Sequence, residues 1–133
     1  KLPCFLSRTP RKYHFHSQAS GRGGFSFVFL ATMRGYGVEL YMNLPDADLN
    51  EAALNLLLKD RKAIEAEFGH KLEFQPLPEK RACRVRYWIK EGVDVMDVDR
   101  SAVQDELIDC MIQFEKVFKN RVRNLDLDSE QVA

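Results

Sequence analysis

Residues 21–43, GRGGFSFVFLATMRGYGVELYMN, constrain the fold of this chain more than any other stretch. Phe25, Phe27, Phe29 and Ala31 alternate with Ser26, Val28 and Leu30, and Val38, Leu40 and Met42 alternate with Glu39, Tyr41 and Asn43. Successive side chains of a strand point to opposite faces, so this period of two predicts two strands. Between them, Met33-Arg34-Gly35-Tyr36-Gly37 offers two glycines for the positive φ of a tight reversal, and a hairpin follows. Gly21, Gly23 and Gly24 give the same freedom before the first of these strands. Upstream, Tyr13, Phe15 and Ser17 alternate with Lys12, His14 and His16, which adds a strand and makes a three-stranded meander.

Helical spacing takes over after Leu44-Pro45-Asp46. Asp48 and Glu51 predict a capping-box start, Leu54, Leu57, Leu58, Ile64 and Phe68 form one apolar face, and Gly69 is placed to close a single helix. Leu72 and Phe74 then alternate with Glu73 and Gln75 until Pro76 and Pro78 stop the strand. The return strand, 82–90, puts Val85, Tyr87 and Ile89 on one side and Arg84, Arg86, Trp88 and Lys90 on the other. Ser101 and Gln104 predict the start of a last helix with a stripe of Leu107, Met111, Phe114, Phe118 and Val122. Its acids come early and its bases late, which suits the helix dipole.

The order βββαββα, with consecutive strands joined by short turns, predicts an α+β two-layer sandwich: a mainly antiparallel sheet with two helices packed on one face and the other face partly wet. The expected core is Phe25, Phe27, Val38, Leu40, Leu57, Ile64, Val85, Met111, Phe114 and Phe118. A length of 133 residues with 45% hydrophobic content supports one domain. Residues 1–11 are read as an extended N-terminal arm, 12–125 as the domain and 126–133 as a frayed tail.

Twenty basic and twenty acidic residues cancel, so no global field draws the chain to nucleic acid or to a membrane surface, and electrostatics must act locally. Residues 1–17 carry four positive and no negative side chains, 71–90 six against two, and 91–109 one against seven. Cys4, Cys83 and Cys110 are odd in number and widely spaced, which suggests neither a disulfide framework nor a zinc site. No apolar run is long enough to span a bilayer, and no secretory signal is evident, so the expected location is the cytoplasm, with no membrane partner. A start at Lys1 rather than methionine suggests a piece of a longer protein.

In order along the chain, GRGGF, GVELY, IEAEFG, LEFQPLPEKRA and VFKNRV resemble the bacterial family known as domain of unknown function 4268, from about Tyr13 to Arg121. That family is often joined to the C-terminal side of a restriction-nuclease-like domain. The resemblance therefore implies a bacterial, restriction-associated setting and an upstream nuclease-like domain as a candidate partner. It implies no reaction.

Catalytic signals are absent from the sequence. Restriction-type nucleases hold Mg²⁺ with an acid followed by Glu-x-Lys on a neighbouring strand, but the strand acids here read Glu39-Leu-Tyr and Glu73-Phe-Gln. There is no GxSxG elbow, and the Gly21–Gly24 turn lacks the ending of a phosphate-binding loop. His14 and His16 share one side of a strand without an identifiable third metal ligand. No catalytic residue, metal or cofactor is assigned. The strongest candidate is the EKRACRVRYWIK strand, where Arg84, Arg86, Trp88 and Lys90 share a face, with Lys80 and Arg81 at its entry and Arg22 on a neighbouring turn. Such a stripe can neutralise phosphates while the indole stacks on a base; its bland counterpart is a solvated face whose arginines pair with the 91–109 acids. The expectation is a non-catalytic accessory or interaction module of a bacterial nucleic-acid-processing or defence protein, contacting nucleic acid or its own enzymatic partner through the sheet. The alternative is a structural homodimerisation or protein-interaction module that uses the same face without nucleic acid, and an undetected hydrolase ranks below both.

Overall fold

The alternating hairpin is the centre of a five-stranded sheet in the computed structural model, which describes the backbone of residues 12–19 and residues 21–77 and 80–127 in full. The 1–11 arm, the side chains of His14 and His16, and the tail from 128 onward lie outside the described residues. The strands are β1 (Lys12–Ala19), β2 (Phe25–Thr32), β3 (Gly35–Met42), β4 (Glu73–Pro76) and β5 (Cys83–Glu91), in the order β1-β2-β3-β5-β4. Every neighbouring pair is antiparallel. Three helices, α1 (Ala47–Lys59), α2 (Arg61–Phe68) and α3 (Arg100–Arg123), cover one face. The fold is the α+β arrangement the pattern predicts, and all ten expected core residues lie in one buried cluster. Phe114 sits at its centre, 4.7 Å from Phe118, 5.7 Å from Phe68 and 6.1 Å from Phe27 between ring centroids.

Four details differ from the sequence reading. The expected single helix breaks at Asp60 (φ −99°, ψ 15°), where a residue with weak helical preference carries the backbone out of the helix. The N-caps are Asp46, accepting from the Asp48 amide at 2.8 Å, and Asp99, accepting from Ser101 and Ala102, rather than Asp48 and Ser101. In each case an aspartate two residues earlier has the extended backbone a cap requires. Leu127, assigned to the tail, is buried with the core.

The β2–β3 connection is tighter than a five-residue loop. It is the two-residue turn Met33-Arg34, closed by the Thr32 hydroxyl, which donates to the Gly35 carbonyl and accepts from the Arg34 amide. Gly37 belongs to β3, beside an irregularity at which Tyr36 pairs with Lys90 and Gly37 with Trp88. A Cβ at Gly37 would stand 2.0 Å from the Tyr87 carbonyl oxygen. This glycine therefore lets two backbones approach where β5 bulges.

The crossover from β3 to β5 is pinned by a residue the pattern did not single out. Asn50, wholly buried in α1, accepts from the Leu44 amide at 2.7 Å and donates to the carbonyls of Leu44 at 3.0 Å and Arg81 at 2.9 Å. It ties the end of β3 to the entry of β5.

Candidate functional site

Side chains facing away from the helices form rows across the sheet. Val28, Glu39, Arg86 and Glu73 make one row, Ser26, Tyr41, Arg84 and Gln75 the next, and Leu30, Gly37 and Trp88 a third. This outer face is less wet than expected: Val28, Leu30, Thr32 and Glu39 are buried, and Arg84, Arg86 and Trp88 are half-buried. Arg84, Arg86 and Trp88 do share the predicted face of β5. Lys90 does not: beyond the irregularity it pairs with Tyr36, whose side chain belongs to the helix-side core, so it leaves the outer face, and it is exposed.

Both arginines are already engaged. Arg84 Nε donates to Gln75 Oε1 at 3.0 Å, with Nη1 3.7 Å from Glu39 Oε1. Arg86 Nε donates to Glu73 Oε1 at 2.8 Å, and its guanidinium lies 4.8 Å from the Trp88 ring centroid. Burial lowers the Arg84 pKa, with help from Arg86 beside it, against the pull of Glu39 and Glu73. The neutralising acids come from β3 and β4, not from the 91–109 block. The acids of that block act elsewhere, Asp94 and Asp99 as caps and Glu106 as acceptor from the Tyr36 hydroxyl.

Glu39 is the least comfortable group on this face. Its side chain is 5% exposed and its Oε1 has no hydrogen-bond partner. Burial pushes the carboxyl up, and Arg84, Arg86 and Lys80 oppose that shift. Glu39 and Glu73 flank Arg86 on one row, so the cation between these carboxylates is a guanidinium. No group of three or more metal-ligating side chains occurs among the described residues. Residues 80–90 carry five cations, and Glu39 and Glu73 are the carboxylates that pair with Arg84 and Arg86. Lys80 and Lys90 are exposed and form no ion pair among the described residues, and Arg81 donates to Asn43 Oδ1 at 2.9 Å.

Arg22 is held away from the other four. Its Nη1 donates to the carbonyls of Val122 at 2.9 Å and Leu125 at 2.7 Å, satisfying the C-terminal end of α3, and its guanidinium lies 5.7 Å from the Phe25 ring centroid. The Gly-rich turn thus serves the helical layer.

A groove between the end of α2, β5 and α3 escaped the sequence reading. Phe68, His70, Tyr87, Glu106, Asp109 and Cys110 are among its lining residues, around about 330 Å³. Glu106, Asp109 and Cys110 recur at helical spacing, but His70 arrives from another element, so only half of the signal was local. Although the groove brings a cysteine and a histidine together, burial pushes the Cys110 thiol up to about 12, the reverse of what a nucleophilic thiolate needs. Tyr36 is likewise raised to about 12, by burial and then by its bond to Glu106.

No helix among the described residues is long and apolar enough to cross a membrane. No curated protein and no solved structure matches the chain. The family described as Domain of unknown function (DUF4268) matches residues 2–122, and the chain belongs to that family.

Proposed function

We propose that this DUF4268 member is a non-catalytic interaction module of a bacterial, cytoplasmic nucleic-acid-processing or defence protein, and that the outer face of β5 contacts single-stranded nucleic acid. The observation that carries the reading is Trp88, half-buried and steadied by Arg86, which Glu73 in turn holds at 2.8 Å. An indole fixed in this way is a prepared surface for a base, and base–aromatic stacking tolerates any sequence. Lys80 and Arg81, at the entry of β5, supply cations to phosphates. Arg86, being paired, positions the indole more than it neutralises a ligand, and Arg84 is engaged by Gln75 and Glu39. The missing Glu-x-Lys pattern supports a non-catalytic role, and the family's association with restriction-nuclease-like domains supports an accessory one. Free Cys83 and Cys110 suit a reducing compartment.

A second reading has its own support. Paired arginines beside a tryptophan are also typical of protein–protein hot spots, so a second copy of the chain is the competing occupant. Fluorescence anisotropy of labelled single- and double-stranded oligonucleotides at low salt, run beside sedimentation of the same samples, separates the two. The proposal expects weak, salt-sensitive binding that prefers single strands and is lost in Trp88→Ala. A chain that ignores oligonucleotides but changes from dimer to monomer in Trp88→Ala establishes the second reading instead.

A further inference from the structure

We infer that the groove between α2, β5 and α3 binds an organic cation, an alkylammonium or alkylguanidinium group. One wall is aromatic. His70 stacks on Tyr87 with ring centroids 4.9 Å apart and planes at 27°, and Phe68 stands edge-on to both, 5.7 Å from His70 and 5.1 Å from Tyr87. The facing wall is α3, which presents Glu106 and Asp109 one turn apart, with Cys110 beside them. The Tyr36 hydroxyl donates to Glu106 Oε1 and orients that carboxylate.

The charges make the choice of ligand. Neither Glu106 nor Asp109 forms an ion pair among the described residues, and no lysine or arginine lines the groove. A positive group entering here meets two carboxylates, which attract it, beside an aromatic wall on which its alkyl part can pack. An anion meets the repulsion of the same two carboxylates. A volume of about 330 Å³ lies at the small end of ligand pockets, roughly 300–1,000 Å³, and admits a group the size of one side chain. Tyr87 and Ile89 alternate with Arg86 and Trp88 along β5, so the groove opens on the opposite side of the sheet from the proposed nucleic-acid face. The two proposals stand or fall separately.

The test is a titration of the ¹⁵N-labelled chain, followed by amide chemical shifts, with n-butylguanidinium, neutral n-butanol and the tripeptide acetyl-Gly-Arg-Gly-amide. The guanidinium is expected to shift the His70, Tyr87 and Cys110 amides saturably, with butanol leaving them in place. The double variant Glu106→Gln, Asp109→Asn should weaken binding at least about tenfold. Both side chains are exposed, so the fold should persist, as an unchanged thermal midpoint would verify, and Asp109→Asn alone repeats the test if it does not. Binding of the tripeptide at the same amides identifies a protein side chain as the source of the cation, and binding of butylguanidinium alone identifies a small molecule. Equal shifts with butanol, undiminished binding by the variants, or no shift up to about 50 mM, beyond weak millimolar affinity, overturns the inference.

Discussion

Replacing Asn50 with alanine is expected to destabilise the chain by about 3 kcal/mol. The side chain is wholly buried and makes three hydrogen bonds, one accepted from the Leu44 amide and two donated to the Leu44 and Arg81 carbonyls. Each such bond contributes about 1 kcal/mol net, and a buried group left unpaired costs about 1–3 kcal/mol. The better helical preference of alanine returns only a few tenths. Urea denaturation reads the loss: with a slope of about 2 kcal/mol per M, the midpoint should fall by roughly 1.5 M at an unchanged slope. Asn50→Asp is the informative companion. It keeps an acceptor for the Leu44 amide but turns an oxygen toward two carbonyls, so at neutral pH its loss should be at least as large, shrinking as acid protonates the new carboxyl. A loss below about 1 kcal/mol for Asn50→Ala would refute the idea that this residue pins the crossover, since even one bond is worth about that much.

Phe114→Ala removes a fully buried ring that touches three other aromatic rings and should cost about 3–5 kcal/mol in the same denaturation. Gly37→Ala drives a Cβ to within 2.0 Å of the Tyr87 carbonyl oxygen; β5 must shift, so a loss of at least about 1 kcal/mol is expected, together with a changed Trp88 emission spectrum. Burial raises the Glu39 carboxyl above its ordinary 4.5 in the folded chain, so the folded state holds that proton more tightly than the unfolded state. This contribution to stability is fully present below the unfolded pKa and is lost as pH rises through the folded value. Glu39→Gln should therefore gain stability relative to the native chain as pH rises through that window, and urea midpoints of the two proteins from about pH 4 to 8 measure it.

The core was legible because burial and period are the same information: Phe25 and Val38 carry the two-residue alternation, Met111 and Phe118 the helical one, and neither depends on a distant partner. The caps were legible only approximately. Asp46 and Asp48, or Asp99 and Ser101, are equally good capping chemistry, and the backbone dihedrals that choose between them are not local properties of the sequence. Arg22 was placed with the β5 stripe on charge alone, yet its guanidinium serves carbonyls of Val122 and Leu125 a hundred residues away. The pairing of Arg84 with Gln75 and Arg86 with Glu73 requires knowing that β4 lies at the edge beside β5. Acids close in sequence, those of 91–109, were the wrong partners. Asn50 gave no signal, since a buried amide bonding two loops looks like any polar residue in a helix's first turn.

Trp88 is the only tryptophan of the chain, so its intrinsic fluorescence reports directly on the proposed contact. Titrating the chain with oligothymidylate over a series of salt concentrations should give saturable quenching that weakens with salt. Lys80→Ala should lower the slope of log affinity against log salt by about 0.7, the value of one neutralised phosphate on a single strand. Arg84→Ala should change that slope little, because its guanidinium already faces Gln75 and Glu39. Trp88 emission that stays unquenched at low salt and saturating oligonucleotide would contradict a nucleic-acid contact on this face.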